Sequence, residues 1–193
     1  MKSNQRLLAG LMITVAACLP PTRGWLESDM TRHMLLQLPA LLLAGALLAS
    51  GLPRKITRPV AACNAHGTTG LLFVLLVLSF WMIPRALDEA VLTPAMALAK
   101  FSSLLAAGAA LQQSWRPAGT IVQLFFIGNW AAMNATIGLL YQQVPSRLCN
   151  VYLLDDQQFT GKGLVVLSVL LPVAWVASLR WQQPGVLSTT IGD

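Results

Sequence analysis

The sequence predicts an all-α, polytopic membrane helix bundle, one transmembrane domain over residues 1–193 with about six spans, or five if the first is a cleaved signal. Three observations predict it. Apolar residues make up 55% of the chain and charged residues 10%, which leaves too few polar side chains to cover a soluble globule of this length. Long apolar runs recur, several reaching the roughly 20 residues that a spanning helix needs. The acidic residues gather in three of the connections between those runs.

The first run, Leu7–Leu19, is short and follows the basic stretch Met1–Arg6, so a signal peptide stands beside an uncleaved helix. Val15-Ala16-Ala17-Cys18 resembles a bacterial lipobox. Because Val60-Ala61-Ala62-Cys63 repeats those letters where cleavage makes no sense, the uncleaved helix is expected. The remaining spans are Met34–Leu52, Thr69–Pro84, Val91–Leu111, Gly119–Tyr141 and Gly163–Leu179. Pro39 and Pro172 each remove a helix hydrogen bond and favour bends that fit neighbouring helices. The small residues Ala106, Ala107, Gly108, Ala109 and Ala110 suit close helix approach.

Short cytoplasmic connections are rich in Lys and Arg, which orients the bundle. With Arg54, Lys55 and Arg58 inside, that face also receives Lys2, Arg6, Arg116 and Arg180, while Arg23, Arg32, Arg85, Arg147 and Lys162 fall outside. Glu27, Asp29, Asp88, Glu89, Asp155 and Asp156 all lie outside, leaving Asp193 inside. Both termini are therefore expected in the cytoplasm of a bacterium, with an acidic rim facing the periplasm. The net charge of +6 reports this topology rather than nucleic-acid binding, since the basic residues are spread over both faces without a stacking set or motif. The outer connections run Pro20–His33, Arg85–Ala90 and Gln142–Lys162, the last forming a natural lid.

Lys100 stands near the middle of the fourth span, where an ammonium costs roughly 2.5–3.5 kcal/mol unless it snorkels or finds a partner. No span holds a carboxylate, so it is expected to reach toward the acidic rim or toward Asn129 and Asn134 of the fifth span. At the start of the second span, Asp29 and His33 are four residues apart, as are Met30 and Met34. Thioether plus imidazole suits copper, with ordinary packing and an interfacial histidine as the alternative. His66 lies near the inner face beside Cys63 and is expected to be structural. Cys18 and Cys149 fall near the outer face, where a disulfide, a lipid anchor on Cys18 or a thiolate ligand all stay open. Nucleophile elbow, Walker loop, zinc-protease histidine pair and haem attachment motif are all lacking, so no enzyme is expected.

The segments His33-Met34-Leu35-Leu36, Phe80-Trp81-Met82-Ile83-Pro84 and Leu154-Asp155-Asp156-Gln157-Gln158 with Gly161 resemble the CtaG-type cytochrome c oxidase assembly factors across most of the chain. The resemblance implies a polytopic membrane protein that matures a haem–copper oxidase, in particular its copper centre, without being an oxidase. It gives importance to His33, Asp156, Gln157 and Gln158. Where the family has a further histidine four residues before the position matched by His33, this chain has Asp29, and it is short for the family.

Two functional classes follow. In the first, His33, Met30 and Met34 hold copper, Asp29 orients them, and Asp155, Asp156, Gln157 and Gln158 dock an oxidase subunit or copper donor. In the second, the same rim docks a partner and the chain is a non-catalytic subunit or scaffold among membrane lipid. A small transporter, built on Lys100, the two prolines and the Asn129/Asn134 face, is a third reading.

Overall fold

The computed structural model describes residues 3–52, 64 and 66–181, without the side chains of 180 and 181. Among them it shows eight helices: α1 (Ser3–Cys18), α2 (Pro20–Glu27), α3 (Met30–Gly51), α4 (Thr68–Trp81), α5 (Pro84–Leu92), α6 (Pro94–Ser114), α7 (Thr120–Gln143) and α8 (Leu154–Trp181). Helices α3, α6, α7 and α8 are each long and apolar enough to cross a membrane. If the bent pairs α1–α2 and α4–α5 each form one span, the number rises to six. The expected multi-pass helical bundle is what the chain builds. Lys2, Arg54, Lys55, Arg58 and Asp193, which carry the orientation, and Cys63 beside His66 lie outside the described residues.

Proline punctuates the chain. The axis turns by 72° between α1 and α2 and by 77° between α4 and α5, and α2, α5 and α6 each carry Pro at their first turn. Proline there needs no backbone N–H partner, and the residue before it is driven to extended geometry. Leu19, Ile83 and Thr93 are all extended. This corrects three sequence expectations. Val91–Leu111 is not one helix, because Val91 and Leu92 end α5 and Thr93 breaks the chain before Pro94. Pro20–His33 and Arg85–Ala90 are largely helical rather than loops. The last helix begins at Leu154 instead of Gly163, so Asp155, Asp156, Gln157 and Gln158 occupy its first turns and the lid shrinks to Val144–Leu153. Two carboxylates in the first turn of α8 favour that early start by opposing the positive end of its dipole.

Helix α3 is central and packs against α1 and α6; α6 in turn meets α4, and α7 pairs with α8. Small residues set these approaches. A Cβ on Gly45 would collide with the Leu105 carbonyl, and one on Gly108 with the Leu42 carbonyl, so α3 and α6 touch backbone to backbone. Gly138 and Gly161 do the same for α7 and α8, where an added Cβ would lie 2.7 Å or 2.6 Å from the opposing carbonyl. Leu41, Val74, Leu104 and Ala107 fill the core, whereas Ile121, Leu98 and Phe125 point outward at 84%, 70% and 69% exposure. That outward apolar surface needs lipid as its solvent. Pro172 lies inside α8, as the sequence placed it.

Pro39 has a more specific effect than a bend. The turn His33–Gln37 just before it is π-helical, with the Leu38 N–H donating to the His33 carbonyl. A wide turn eases the crowding that a proline ring imposes on the preceding turn, and such turns concentrate at functional sites.

Because α3 and α6 meet at glycine, Gly108→Ala is expected to destabilise the detergent-solubilised protein by about 1–3 kcal/mol, as overpacking does elsewhere, and Ala109→Gly much less. Thermal unfolding followed by tryptophan fluorescence measures both. Equal melting of Gly108→Ala and wild type would show that the two helices do not approach this closely.

Candidate functional site

Lys100 is fully buried on α6, and its ammonium finds three acceptors: Glu27 Oε1 at 2.6 Å, His33 Nε2 at 2.8 Å and Gln37 Oε1 at 3.0 Å. An ammonium has three hydrogens, so each is used. The acceptors come from two elements that the bend at Pro20 and the π turn bring together: Glu27 closes α2, while His33 and Gln37 lie four residues apart at the start of α3. Glu27 is shared further. Arg23, one turn earlier on α2, donates Nε to its two oxygens at 3.1 Å and 2.9 Å, and also reaches the Ala90 carbonyl at 3.4 Å. Gln37 Nε2 donates to Glu27 Oε1 at 3.4 Å. One carboxylate thus sits between two cations, the arrangement that lets charge persist away from water.

The contacts fix the protonation of His33. Lys100 can only donate, so Nε2 is the bare nitrogen and Nδ1 carries the hydrogen, which goes to the Tyr152 hydroxyl 2.5 Å away. Burial, and next the charge of Glu27, push the Tyr152 phenol well above its ordinary range, so the hydroxyl keeps its proton. Tyr152 arrives on the connection Val144–Leu153, which is pinned twice. Buried Asp88 accepts from the backbone N–H of Asn150 at 2.7 Å and of Val151 at 3.4 Å. Buried Gln157 accepts from the Leu148 N–H at 2.8 Å and donates to the Tyr141 carbonyl at 3.2 Å. Cys149 in the same connection is buried, its thiol pushed up to about 12 by burial and by Asp88, so it stays protonated and unreactive near neutrality.

The residues singled out from sequence fall in different places. Met30 and Met34 are buried near His33 in a cluster with Met82, Leu87, Tyr141, Tyr152 and Leu164. Asp29 does not orient His33: it caps α3, accepting from the N–H groups of Thr31 at 2.7 Å and Arg32 at 3.2 Å. Asp155 is exposed, Asp156 and Gln158 are partly exposed, and Gln157 is buried. Lys100 takes the acidic-rim option, through Glu27, and neither asparagine. Asn129 is exposed and bonds the Phe125 carbonyl; Asn134 is buried, bonds the Trp130 carbonyl, and lines an apolar crevice of about 630 Å³ with Pro39, Leu38, Phe126 and Arg116. Cys18 and Cys149 are both free, and His66 is exposed. Sequence reasoning gave Gln37 and Tyr152 no role, and used Arg23 and Glu27 only as charges of the outer face. The signal for two of them was present, in the i,i+4 pairs Arg23/Glu27 and His33/Gln37.

The donor set does not fit copper as the resemblance implies it. Both nitrogens of His33 are engaged, and an ion on Nε2 would displace the Lys100 ammonium and meet its charge at close range, a repulsion of roughly 1–4 kcal/mol at about 4 Å. No group of three or more His, Cys, Asp or Glu among the described residues is placed to hold a metal ion.

Comparison with protein-family models, with curated proteins and with solved structures finds no match.

The cluster is expected to behave as one unit. Glu27→Gln leaves Lys100 buried without its carboxylate and should destabilise the protein by about 3–5 kcal/mol, and Lys100→Met is measured beside it. The double variant Glu27→Gln/Lys100→Met removes both charges and should recover most of that loss. A double-mutant cycle on thermal unfolding tests this, and additivity of the two single substitutions would show that the pair does not interact.

Proposed function

We propose that the chain is a non-catalytic accessory factor of the bacterial inner membrane that docks a partner membrane protein at the end of the bundle bearing the acidic residues. The resemblance to the CtaG-type factors makes a haem–copper respiratory oxidase, during maturation of its copper centre, the partner of choice. The positive-inside pattern puts this end on the periplasmic side and both termini in the cytoplasm.

The observation that carries this reading is how that end is built. Underneath, the Lys100 cluster and the Asp88 and Gln157 contacts hold α2, α3, α8 and the Val144–Leu153 connection together. On top, Trp25, Leu153 and Phe159 are 56%, 64% and 64% exposed. Arg32 lies 4.7 Å over the Trp25 ring, and Asp155, between Leu153 and Phe159 in the sequence, is exposed. The Thr31 and Thr160 hydroxyls, 3.0 Å apart, join the α3 and α8 halves of this surface. Preorganised aromatic anchors within a polar rim are the anatomy of protein interfaces. Nothing in the cluster offers a free nucleophile or base, since each polar group is committed to a neighbour, which favours docking over catalysis. Lys100, Asn129 and Asn134 do not share one path, which disfavours transport.

Deleting the gene in its own host is expected to lower the amount of assembled haem–copper oxidase at least several-fold. A Trp25→Ala/Phe159→Ala variant should accumulate normally yet restore little of it and lose oxidase subunits on affinity purification. Unchanged oxidase levels in the deletion strain would refute the client, and full rescue by the double variant would refute the docking surface.

A further inference from the structure

The cluster around Lys100 has the form of a cation site: two oxygens and one imidazole nitrogen converge within 3.0 Å on a single fully buried positive centre. We propose that the Lys100 ammonium is a built-in cation occupying a metal-type position formed by Glu27, His33 and Gln37, so that this end of the bundle is held together without metal. It deepens the docking reading by naming what fixes the docking surface, and the site's occupancy is measured independently of any partner.

The chemistry of the shell supports this. Carboxylate, neutral imidazole and amide oxygen are the donors that borderline divalent ions such as Zn²⁺ and Co²⁺ accept, at shorter distances than an ammonium requires. The tautomer is already the one a metal ligand needs, with Nε2 bare and Nδ1–H held by the Tyr152 hydroxyl, which stands where a carboxylate, carbonyl or water holds the outer nitrogen of a ligating histidine. What differs from a metal site is that the charge is tethered. Lys100 reaches the shell from α6, whereas Glu27 belongs to α2 and His33 and Gln37 to α3, so a covalent arm does the cross-linking that an ion does elsewhere. Arg23 balances the carboxylate from its other side and adds further repulsion toward any incoming ion. A tethered cation cannot be lost to chelators or exchanged for a competing metal, and it makes the fold independent of metal supply.

Shortening Lys100 should open the shell. Purified full-length wild type, His33→Ala, Lys100→Ala and Lys100→Ala/His33→Ala are titrated with Co²⁺, followed by its visible ligand-field absorption, and separately with Cu(I) against a competing chelator. Wild type is expected to take up neither ion at stoichiometric level. Lys100→Ala should bind one equivalent of Co²⁺ at least about tenfold more tightly than wild type, consistent with removal of a like charge at close range, and its melting temperature should rise with Co²⁺. The His33→Ala addition should abolish both effects. Lys100→Gly and Lys100→Ser are carried in parallel as alternative openings. Stoichiometric metal in wild type that is lost in His33→Ala overturns the proposal, even where none of the Lys100 variants accumulates. Folded Lys100 variants that bind no more Co²⁺ than wild type overturn it as well. Neither result bears on oxidase levels in the deletion strain, so failure here and failure of the docking reading are separable.

Discussion

Burying the Lys100 ammonium among apolar helices is admissible only because three acceptors meet it, and the geometry of one end of the bundle follows from that requirement. Glu27 must be carried inward, so the chain bends at Pro20 and folds α2 back toward the core. His33 and Gln37 must face the same point, and the π turn ahead of Pro39 supplies the register. Tyr152 must reach the far nitrogen of His33, so its connection is tied down by Asp88 and Gln157. Each tie comes from a different part of the chain, and together they join α2, α3, α6, α8 and the loop before α8.

Elsewhere the bundle relies on a different physics. Lipid offers helices no hydrophobic incentive to associate, so close packing at Gly45/Gly108 and Gly138/Gly161 supplies the contact. The polar cluster and the glycine contacts divide the work between them. The first fixes one end in detail, and the second sets the spacing along the helices. Between α3, α4, α6, α7 and α8 the helices leave the apolar crevice that Asn134 and Arg116 line.

Hydropathy made the helical, multi-pass architecture legible, because runs such as Met34–Leu52 have no other stable solvent. The short amphipathic helices were not legible in the same way. Arg85–Ala90 is polar enough to read as a loop, and only the proline before it and its burial against α6 reveal a helix. Lys100 announced its need for a partner, and the acidic rim was one of two places named for it. Which carboxylate would answer depended on a 72° bend that no local pattern encodes. Asp29 misled for a related reason. Its spacing to His33 suits a helical pair, but an aspartate preceding a helix is better used by the backbone N–H groups of the first turn, and the cap won. The copper reading rested on the His33 imidazole with the Met30 and Met34 thioethers, and the geometry instead gives His33 to a lysine.

The central claim is that Lys100 donates to His33 Nε2, and the ring nitrogens report this directly. In His66→Gln protein, His33 is the one histidine left, so nitrogen NMR of histidine-labelled protein in bilayers reads it without assignment. The account predicts a neutral imidazole with hydrogen on Nδ1, a bare Nε2 shifted by a strong hydrogen bond, and loss of that shift in Lys100→Met. An imidazolium, or a neutral ring with its hydrogen on Nε2, would contradict it.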